Sequence, residues 1–368
     1  MENGHPWVFR EGGFAAKAGL VVELHGDTKR AIGWGLADDG PIAVRVLGRG
    51  PAPKDVRPVI AARIADAAAA RPRFLLPDTD AYRLVAGEGD GLGGLVVDRY
   101  GPLAVVRLYG ACWERHLPTI TESLTALPWC TTVARRFGVA RVDGRDGLDT
   151  LAGPRAPDTL VVSEGGMKML VRPYVGQKTG LFLDQREHRA LIRRWSAGAG
   201  EVANLFAYNG GFSVSAALGG ARRVTTVDLA PEAVADAREN FRLNGIDADR
   251  HGFEVADVFA WKPSAALDIL VVDPPSLAHA RASEGAARAA YKKLHVQLGG
   301  SVAPGGLLAT SSCTARLSFE DWKGAVRDGL QGDWSWCWQS AEAPDHPVAI
   351  GHAEGHYLKF GVLRRRGG

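Results

Sequence analysis

One stretch of the chain, residues 201–228, constrains its fold more than any other. The sequence EVANLFAYNGGFSVSAALGGARRVTTVD predicts a strand at residues 202–206 and then a turn that contains Gly210 and Gly211. A helix of small residues at 212–218 and a second strand at 224–227 follow, and the second strand ends in the acid Asp228. This order is typical of the first βαβ unit of a doubly wound α/β sheet, where glycines let the backbone approach a ligand and the acid binds a pair of ribose hydroxyls. The stretch therefore predicts a ligand that contains a ribose.

The spacing of the glycines narrows the choice of ligand. A dinucleotide site would favour GxGxxG, and the turn here reads FAYNGGF. A turn with only Gly210 and Gly211 suits a ligand that has no pyrophosphate, such as S-adenosylmethionine. The residues alone leave open an ordinary tight turn in which Asp228 is a helix cap.

The bulk properties indicate a soluble globular protein. The chain has 368 residues, 46% of them hydrophobic and 23% charged, enough for two or three domains. No apolar run of about 18 residues is present, and the start, MENGHPWVFREGG, lacks the pattern of a signal peptide, so we expect a cytoplasmic protein without membrane contact. The net charge of +3 permits an anionic partner without requiring one. Free thiols and no metal site are expected, because zinc-type spacing is missing around Cys112, Cys130, Cys313 and Cys337.

The patterning changes twice along the chain, which predicts three domains. Residues 1–55 alternate short apolar runs with turn signals, as in a small all-β module. Residues 56–172 begin with an alanine-rich helix and continue as a small α/β module. From residue 173 to residue 368, βα units repeat, which favours a mostly parallel sheet with helices on both faces.

Polar side chains follow the predicted strands of this last domain. Asp228, Asp257, Asp273 and Cys313 each fall at the carboxyl end of a strand. Open α/β sheets bind ligands at that edge. These four residues are therefore expected to form one site.

The residues at two of these strand ends indicate methylation at carbon. Asp273 precedes two prolines that hold its carboxylate rigidly, and no aromatic residue follows them as it does in amino-group methyltransferases. Carbon-5 of a pyrimidine is a poor nucleophile until a thiolate adds at carbon-6. We assign that addition to Cys313, and to Asp273 a hydrogen bond to the ring nitrogen or exocyclic amine. The alternative for Cys313 is a packed structural thiol.

Long motifs along nearly the whole chain resemble one family. They include HPWVF at residues 5–9, YRLVAGEGDGLGGLVVDRYG at 82–101, GQKTGLFLDQREHR at 176–189, NLFAYNGGFSVSAALGG at 204–220, the DPP turn, SSCT, DHPV and EGHYLK. This order of motifs is similar to that of the PUA-containing (RlmI-like) large-subunit ribosomal RNA cytosine-5 methyltransferases.

The resemblance implies a PUA-like β domain, a central α/β domain and a C-terminal Rossmann-like class I methyltransferase domain that uses S-adenosylmethionine. The PUA-like domain is expected to lack its usual first strand, because the chain begins almost at HPWVF. Residues 178–186 resemble a segment that closes over cofactor and substrate, with Cys313 as the nucleophile. The cofactor contacts implied are Lys178, Thr179, Phe182, Gln185, Arg186, Phe206, Tyr208, Asn209, Gly210, Gly211, Asp228, Asp257, Phe259, Asp273 and Pro275.

The expected partner is RNA, most naturally ribosomal RNA, because a base must leave its stack before carbon-5 can be reached. We expect Arg135, Arg136, Lys178 and Arg186 to contact its phosphates, with affinity falling as salt rises. From the residues alone, Lys178 and Arg186 could equally belong to a solvated loop. Other readings are a methyltransferase for another RNA base or a small molecule, and a non-catalytic RNA-binding protein; whether the chain forms a homodimer stays open.

Overall fold

The computed structural model describes residues 4–11, 14–26, 29–277, 284–315 and 317–367. The chain divides into two compact units. The first contains Met1–Gly166, Val171–Asp184 and Ala343–Gly355, and the second contains Met167–Leu170, Gln185–Glu342 and His356–Gly368. Within the described ranges, no helix combines the length and apolar character needed to span a lipid bilayer.

The first unit begins with an antiparallel β-sheet, as the alternating apolar runs predicted. Over the described residues this sheet has four strands in the order β1-β4-β3-β2. The strands are β1 (Trp7–Phe9), β2 (Val21–His25), β3 (Ala31–Ala37) and β4 (Ile42–Arg49).

A mixed sheet follows in the same unit. Its described strands lie in the order β5-β6-β7-β8-β9, with β7 and β8 parallel and the other pairs antiparallel. The elements are α1 (Arg57–Ala70), β5 (Ala81–Ala86), β6 (Leu95–Tyr100), β7 (Leu103–Leu108), α2 (Leu117–Thr125), β8 (Thr132–Arg136), β9 (Leu148–Ala152) and β10 (Leu160–Glu164). Strand β11 (Met167–Val171) comes next in the chain, and its residues Met167–Leu170 belong to the second unit. Strands β10 and β11 flank Gly165 and Gly166, where the sequence predicted a strand pair.

Two of these strands, β5 and β9, were not predicted. Strand β9 lies in the turn-rich stretch 144–158. Polar residues such as Asp149 and Thr150 interrupt the run of apolar residues that would predict a strand there. Strand β9 forms because it pairs antiparallel with the edge of β8, where Ala134 lies opposite Thr150. Tertiary pairing overrides local propensity at this position.

The two sheets of the first unit share a hydrophobic core. Trp34 and Leu36 of β3 belong to the same buried cluster as Ile60 and Ile64 of α1 and Leu84 of β5. The predicted domain boundary near residue 55 therefore separates two parts of one packed core, and the division into three domains stays a prediction.

The second unit is a doubly wound α/β domain, as the repeated βα units predicted. In the described part of the chain its sheet has seven strands in the order β14-β13-β12-β15-β16-β18-β17. The first five are parallel, and β18 pairs antiparallel with both β16 and β17. The strands are β12 (Glu201–Leu205), β13 (Arg223–Asp228), β14 (Gly252–Val255), β15 (Leu267–Val272), β16 (Val302–Ser312), β17 (Trp334–Ser340) and β18 (Lys359–Arg365).

Helices pack on this sheet in two groups, α3 to α5 and α6 with α7. They are α3 (Arg186–Trp195), α4 (Gly211–Leu218), α5 (Pro231–Leu243), α6 (Glu284–Leu298) and α7 (Phe319–Gly329). From β12, the next two strands of the chain, β13 and β14, lie on one side of β12 in the sheet. The following strand, β15, lies on the opposite side of β12. The strand order therefore reverses between β12 and β15, and a crevice at such a point binds ligands in doubly wound folds.

Candidate functional site

The loop after β12 has an unusual backbone. Phe206 and Tyr208 adopt φ angles of 56° and 48°, and Gly210 adopts 77°. Left-handed backbone is uncommon for aromatic residues, and such strain is concentrated at ligand sites. At Gly210 an added Cβ would lie 2.7 Å from the Cβ of Ala237 on α5, so only glycine permits this approach of the loop to the helix.

Asp228, the last residue of β13, holds this loop in place. Its Oδ2 accepts a hydrogen bond from the backbone N–H of Tyr208 at 2.7 Å, and its Oδ1 accepts one from Ala230 at 3.0 Å. The residue stays partly exposed. Each carboxylate oxygen has two lone pairs, so Asp228 can also accept hydrogen bonds from a ribose.

An aromatic pair lies beside this carboxylate loop. The rings of Phe206 and Phe259 meet edge to face, with centroids 6.0 Å apart. Phe259 is 44% exposed, and its backbone N–H donates to Asp257 Oδ1 at 2.9 Å. The exposed ring offers a face for an adenine, and the Asp257 carboxylate offers an acceptor for its amine.

Two other predicted cofactor residues, Asn209 and Gly211, lie in the loop after β12 and are packed against neighbouring segments. Asn209 is 5% exposed and donates from Nδ2 to the Leu170 carbonyl at 3.3 Å, while its own carbonyl accepts from Asn240 at 2.8 Å. At Gly211 an added Cβ would lie 2.9 Å from the Arg189 side chain. These contacts position the turn, and direct cofactor contact by either residue stays a prediction.

Asp273 directly follows β15 and receives two hydrogen bonds at one oxygen. Gln185 Nε2 donates to Asp273 Oδ1 at 2.9 Å, and the hydroxyl of Ser311 donates to the same atom. Val272 and Thr310, which precede Asp273 and Ser311, are paired across β15 and β16. The register of the parallel sheet therefore brings this carboxylate beside the end of β16. Pro275, further along the turn, is exposed.

A hydrogen-bonded chain of side chains extends behind Gln185. His188 Nδ1 contacts Gln185 Oε1, and His188 Nε2 lies 2.9 Å from the hydroxyl of Ser340. The imidazole stacks on Phe360 with centroids 3.9 Å apart. Because Gln185 Oε1 can only accept, His188 carries its proton on Nδ1, and the chain of contacts orients the Gln185 amide toward Asp273.

Cys313 lies in a turn that is held on both sides. The thiol residue is half-buried, whereas its neighbours Ser312 and Thr314 are buried. The Thr314 hydroxyl lies 3.2 Å from that of Ser276 and 3.4 Å from that of Tyr291. The Thr314 N–H also donates to the Ser312 hydroxyl at 3.3 Å. The turn is thus tied both to the DPP segment and to α6.

Tyr291 shows that the thiol and the Asp273 carboxyl share one electrostatic environment. Burial raises the pKa of Tyr291 to about 12, and the charges of Cys313 and Asp273 act in the same direction. The phenol therefore stays neutral at physiological pH. The four described cysteines are thiols and form no disulfide with one another, as predicted.

Three of the predicted cofactor residues belong to the first unit. Lys178 donates to Asp184 Oδ2 at 2.9 Å, and its Nζ lies 4.4 Å from the ring centre of Phe182. The buried Thr179 hydroxyl contacts Asp98 and lies 2.9 Å from the hydroxyl of Tyr100. Their predicted roles in closing over cofactor and substrate stay predictions.

The arginines predicted to contact phosphate are engaged inside the protein. The Arg135 guanidinium is paired with Glu114 and Asp143 and is 5% exposed. Arg136 donates to the backbone carbonyls of residues 173, 174 and 176. Arg186 is fully buried and donates to Glu187 at 3.2 Å. The Lys178 side chain is 37% exposed, and of the four predicted phosphate contacts it can reach RNA with the least rearrangement.

Sequence reasoning missed the residues that support Asp273. His188 and Ser311 had no predicted role, although Gln185 and His188 are three residues apart in the GQKTGLFLDQREHR motif. On a helix this spacing places two side chains on one face, which is the signal that was available.

The residues at the strand ends fit S-adenosylmethionine: a carboxylate for the ribose, an aromatic pair for the adenine and an acid for its amine. A family model described as S-adenosylmethionine-dependent methyltransferase matches residues 112–317, more than half of the chain. A protein whose crystal structure holds S-adenosylhomocysteine, described as a putative methyltransferase, aligns with a TM-score of 0.86 and 26% identity, over 99% of this chain and 96% of that one. Fold and site thus define a Rossmann-like methyltransferase that uses S-adenosylmethionine.

Two curated relatives narrow the class further. A ribosomal RNA large subunit methyltransferase from Deinococcus radiodurans is 37% identical, over 99% of this chain and 94% of that protein. A ribosomal RNA large subunit methyltransferase I from Shewanella denitrificans is 31% identical, over 99% of this chain and 96% of that protein. The chain belongs to the family of large-subunit ribosomal RNA methyltransferases, as its motifs predicted.

Proposed function

We propose that this chain methylates carbon-5 of a cytosine in large-subunit ribosomal RNA, with Cys313 as a covalent nucleophile. The observation that carries the proposal is the position of Cys313 and Asp273 at the ends of the neighbouring strands β16 and β15. This is the edge at which Asp228 and the aromatic pair fit the cofactor. The names of the relatives support ribosomal RNA as the substrate.

The thiol solves the chemical problem of a weak carbon nucleophile. Addition of the Cys313 thiolate forms a bond from sulfur to carbon-6 and moves the ring π electrons toward carbon-5. S-adenosylmethionine, when bound, supplies the methyl group that carbon-5 takes, and S-adenosylhomocysteine leaves. Loss of the carbon-5 proton to a base then expels the thiolate and restores the double bond.

Asp273 suits the recognition of cytosine. Ser311 and Gln185 already donate to its carboxylate, so the residue faces the substrate as a hydrogen-bond acceptor. Cytosine presents an exocyclic amine, and uracil presents a carbonyl oxygen at the same place. An acceptor fixed beside the ring therefore favours cytosine over uracil.

The first unit is proposed to bind the RNA. We assign its N-terminal sheet to a PUA-like module at residues 1–55, and the part that follows to a central α/β module at residues 56–172. Lys178 is the proposed phosphate contact on the segment before α3. Ribosomal RNA as substrate also supports the expectation that the protein acts in the cytoplasm.

RNA that contains 5-fluorocytosine tests the function directly. Fluorine at carbon-5 cannot leave as a proton, so we expect a covalent complex of enzyme and methylated RNA that survives a denaturing gel. The C313A variant should form none, and mass mapping of nucleosides from normal RNA should locate the methyl group on cytosine. A methyl group on a purine, or on cytosine without any trapped complex, would contradict the covalent route.

A second prediction concerns the residue that orients Asp273. Replacement of Gln185 by alanine removes one donor to the carboxylate and the acceptor for His188. We expect kcat to fall about 10- to 100-fold, because small misplacements of reacting groups are costly. Gln331, which is exposed, provides the matched control Q331A, expected at the wild-type rate. Equal kcat values for Q185A and Q331A would refute the positioning role.

A further inference from the structure

Lys359 is a buried lysine that lies against the turn carrying Cys313. It is the first residue of β18 and is 3% exposed. In the antiparallel pairing of β18 with β16, Lys359 lies opposite Ser312. Its Nζ donates to the Thr314 carbonyl at 2.7 Å and to the Tyr357 carbonyl at 3.1 Å. Ser312 and Thr314 are the two neighbours of Cys313, so the ammonium group holds the backbone next to the thiol residue.

Within the described residues this lysine forms no ion pair with a carboxylate, although the charge of Glu342 acts on it. Two carbonyl oxygens accept from its ammonium, which carries three N–H groups. Burying a cation without a counter-ion costs free energy. Burial indeed lowers the pKa of Lys359, while the charges of Glu342 and Cys313 act in the opposite direction. The placement therefore needs a reason beyond packing.

The charged groups around the thiol supply that reason. The Asp273 carboxylate accepts a hydrogen bond from the hydroxyl of Ser311, which lies two residues before Cys313. The phenol of Tyr291 on α6 stays neutral. Glu342, at the end of the segment after β17, is engaged by the Leu358 N–H at 2.9 Å and by His356 at 3.3 Å. A thiolate at Cys313 would thus form in the same environment as the Asp273 carboxylate, which disfavours a second negative charge. A nearby cation offsets this repulsion.

We propose that Lys359 is a positioning residue for the reaction: its ammonium fixes the turn that carries Cys313 and stabilises the thiolate form of that cysteine. The catalytic purpose of this arrangement rests on the proposed function. The effect of the charge on the thiol does not, because it exists in the free enzyme. The two can therefore be tested separately.

Alkylation of the full chain by iodoacetamide measures the thiolate directly. The reaction forms a thioether and releases iodide, and its rate follows the fraction of thiolate. Peptide mass spectrometry at several pH values gives a separate midpoint for Cys313 and for Cys337, an exposed thiol that serves as an internal control. We expect K359M to raise the Cys313 midpoint by about one pH unit, which slows its alkylation about tenfold near neutral pH. K359R, which keeps the charge, should restore most of the shift.

Each outcome decides the proposal. A Cys313 midpoint in folded K359M equal to that of the wild type would overturn it, as would equal shifts in K359M and K359R. If K359M does not fold, K359Q takes its place, because its amide can still donate to a carbonyl of the turn and carries no charge. We expect K359Q to raise the Cys313 midpoint as K359M does, and an unchanged midpoint would overturn the proposal. Full methylation activity in C313A would refute the covalent function while leaving the measured effect of Lys359 on the thiol intact.

Discussion

Replacement of Cys313 by alanine is expected to lower the rate of RNA methylation by about 10³-fold or more, with cofactor binding retained. In free energy this is a loss of about 4 kcal/mol of transition-state stabilisation. The physical reason is that carbon-5 of cytosine has almost no nucleophilic character until a sulfur atom is bonded to carbon-6. C313S should be similarly inactive, because a hydroxyl is not ionised at neutral pH and adds poorly to the ring.

Transfer of a radioactive methyl group to RNA measures this effect, and calorimetry with S-adenosylmethionine shows whether the cofactor site is intact. Cys337 provides the matched control, because it is an exposed cysteine at the edge strand β17. C337S should methylate at the wild-type rate. Wild-type rates in both C313A and C313S would exclude the covalent route and favour methylation at another atom.

Replacement of Asp228 by alanine is expected to weaken S-adenosylmethionine binding about 100-fold, or about 2.7 kcal/mol. The carboxylate has two tasks: it can accept hydrogen bonds from the ribose, and it accepts those from the N–H groups of Tyr208 and Ala230. Hydrogen bonds to a charged group each contribute about 1.5–3 kcal/mol. Loss of the carboxylate also releases the left-handed turn at Phe206 and Tyr208.

Isothermal titration with S-adenosylmethionine and S-adenosylhomocysteine tests this prediction. Asp249 provides a control, since its side chain is 89% exposed and pairs with Arg238 on the surface. D249A should bind both ligands as the wild type does. Thermal unfolding of D228A separates a loosened loop from an unfolded chain. An unchanged affinity in folded D228A would show that the ribose is held elsewhere.

The edge of the sheet that forms the candidate site could be predicted because it depends on local patterns. Each apolar run followed by a polar residue marks a strand end, as at Asp228, Asp273 and Cys313. Parallel strands connected by helices bring their carboxyl ends to one edge, so chain order alone places these residues together. The glycine turn at Gly210 was predictable for the same reason, since its conformation is a property of a few adjacent residues.

The support for these residues depends on pairings between distant parts of the chain, and only the tertiary structure decided it. His188 reaches Ser340 across 152 residues, and Lys359 reaches Thr314 across 45. Both contacts exist because β18 inserts antiparallel between β16 and β17, which no local pattern predicts.

The burial of charge was decided in the same way. Arg135 looks like a surface cation in the sequence, and its partners Glu114 and Asp143 lie 21 and 8 residues away. The sequence by itself therefore determined the fold class, the family and the strand-end residues. The tertiary structure decided which polar groups are paired, which are buried and which can reach a ligand, because pairing and burial depend on contacts between residues that are remote in the chain.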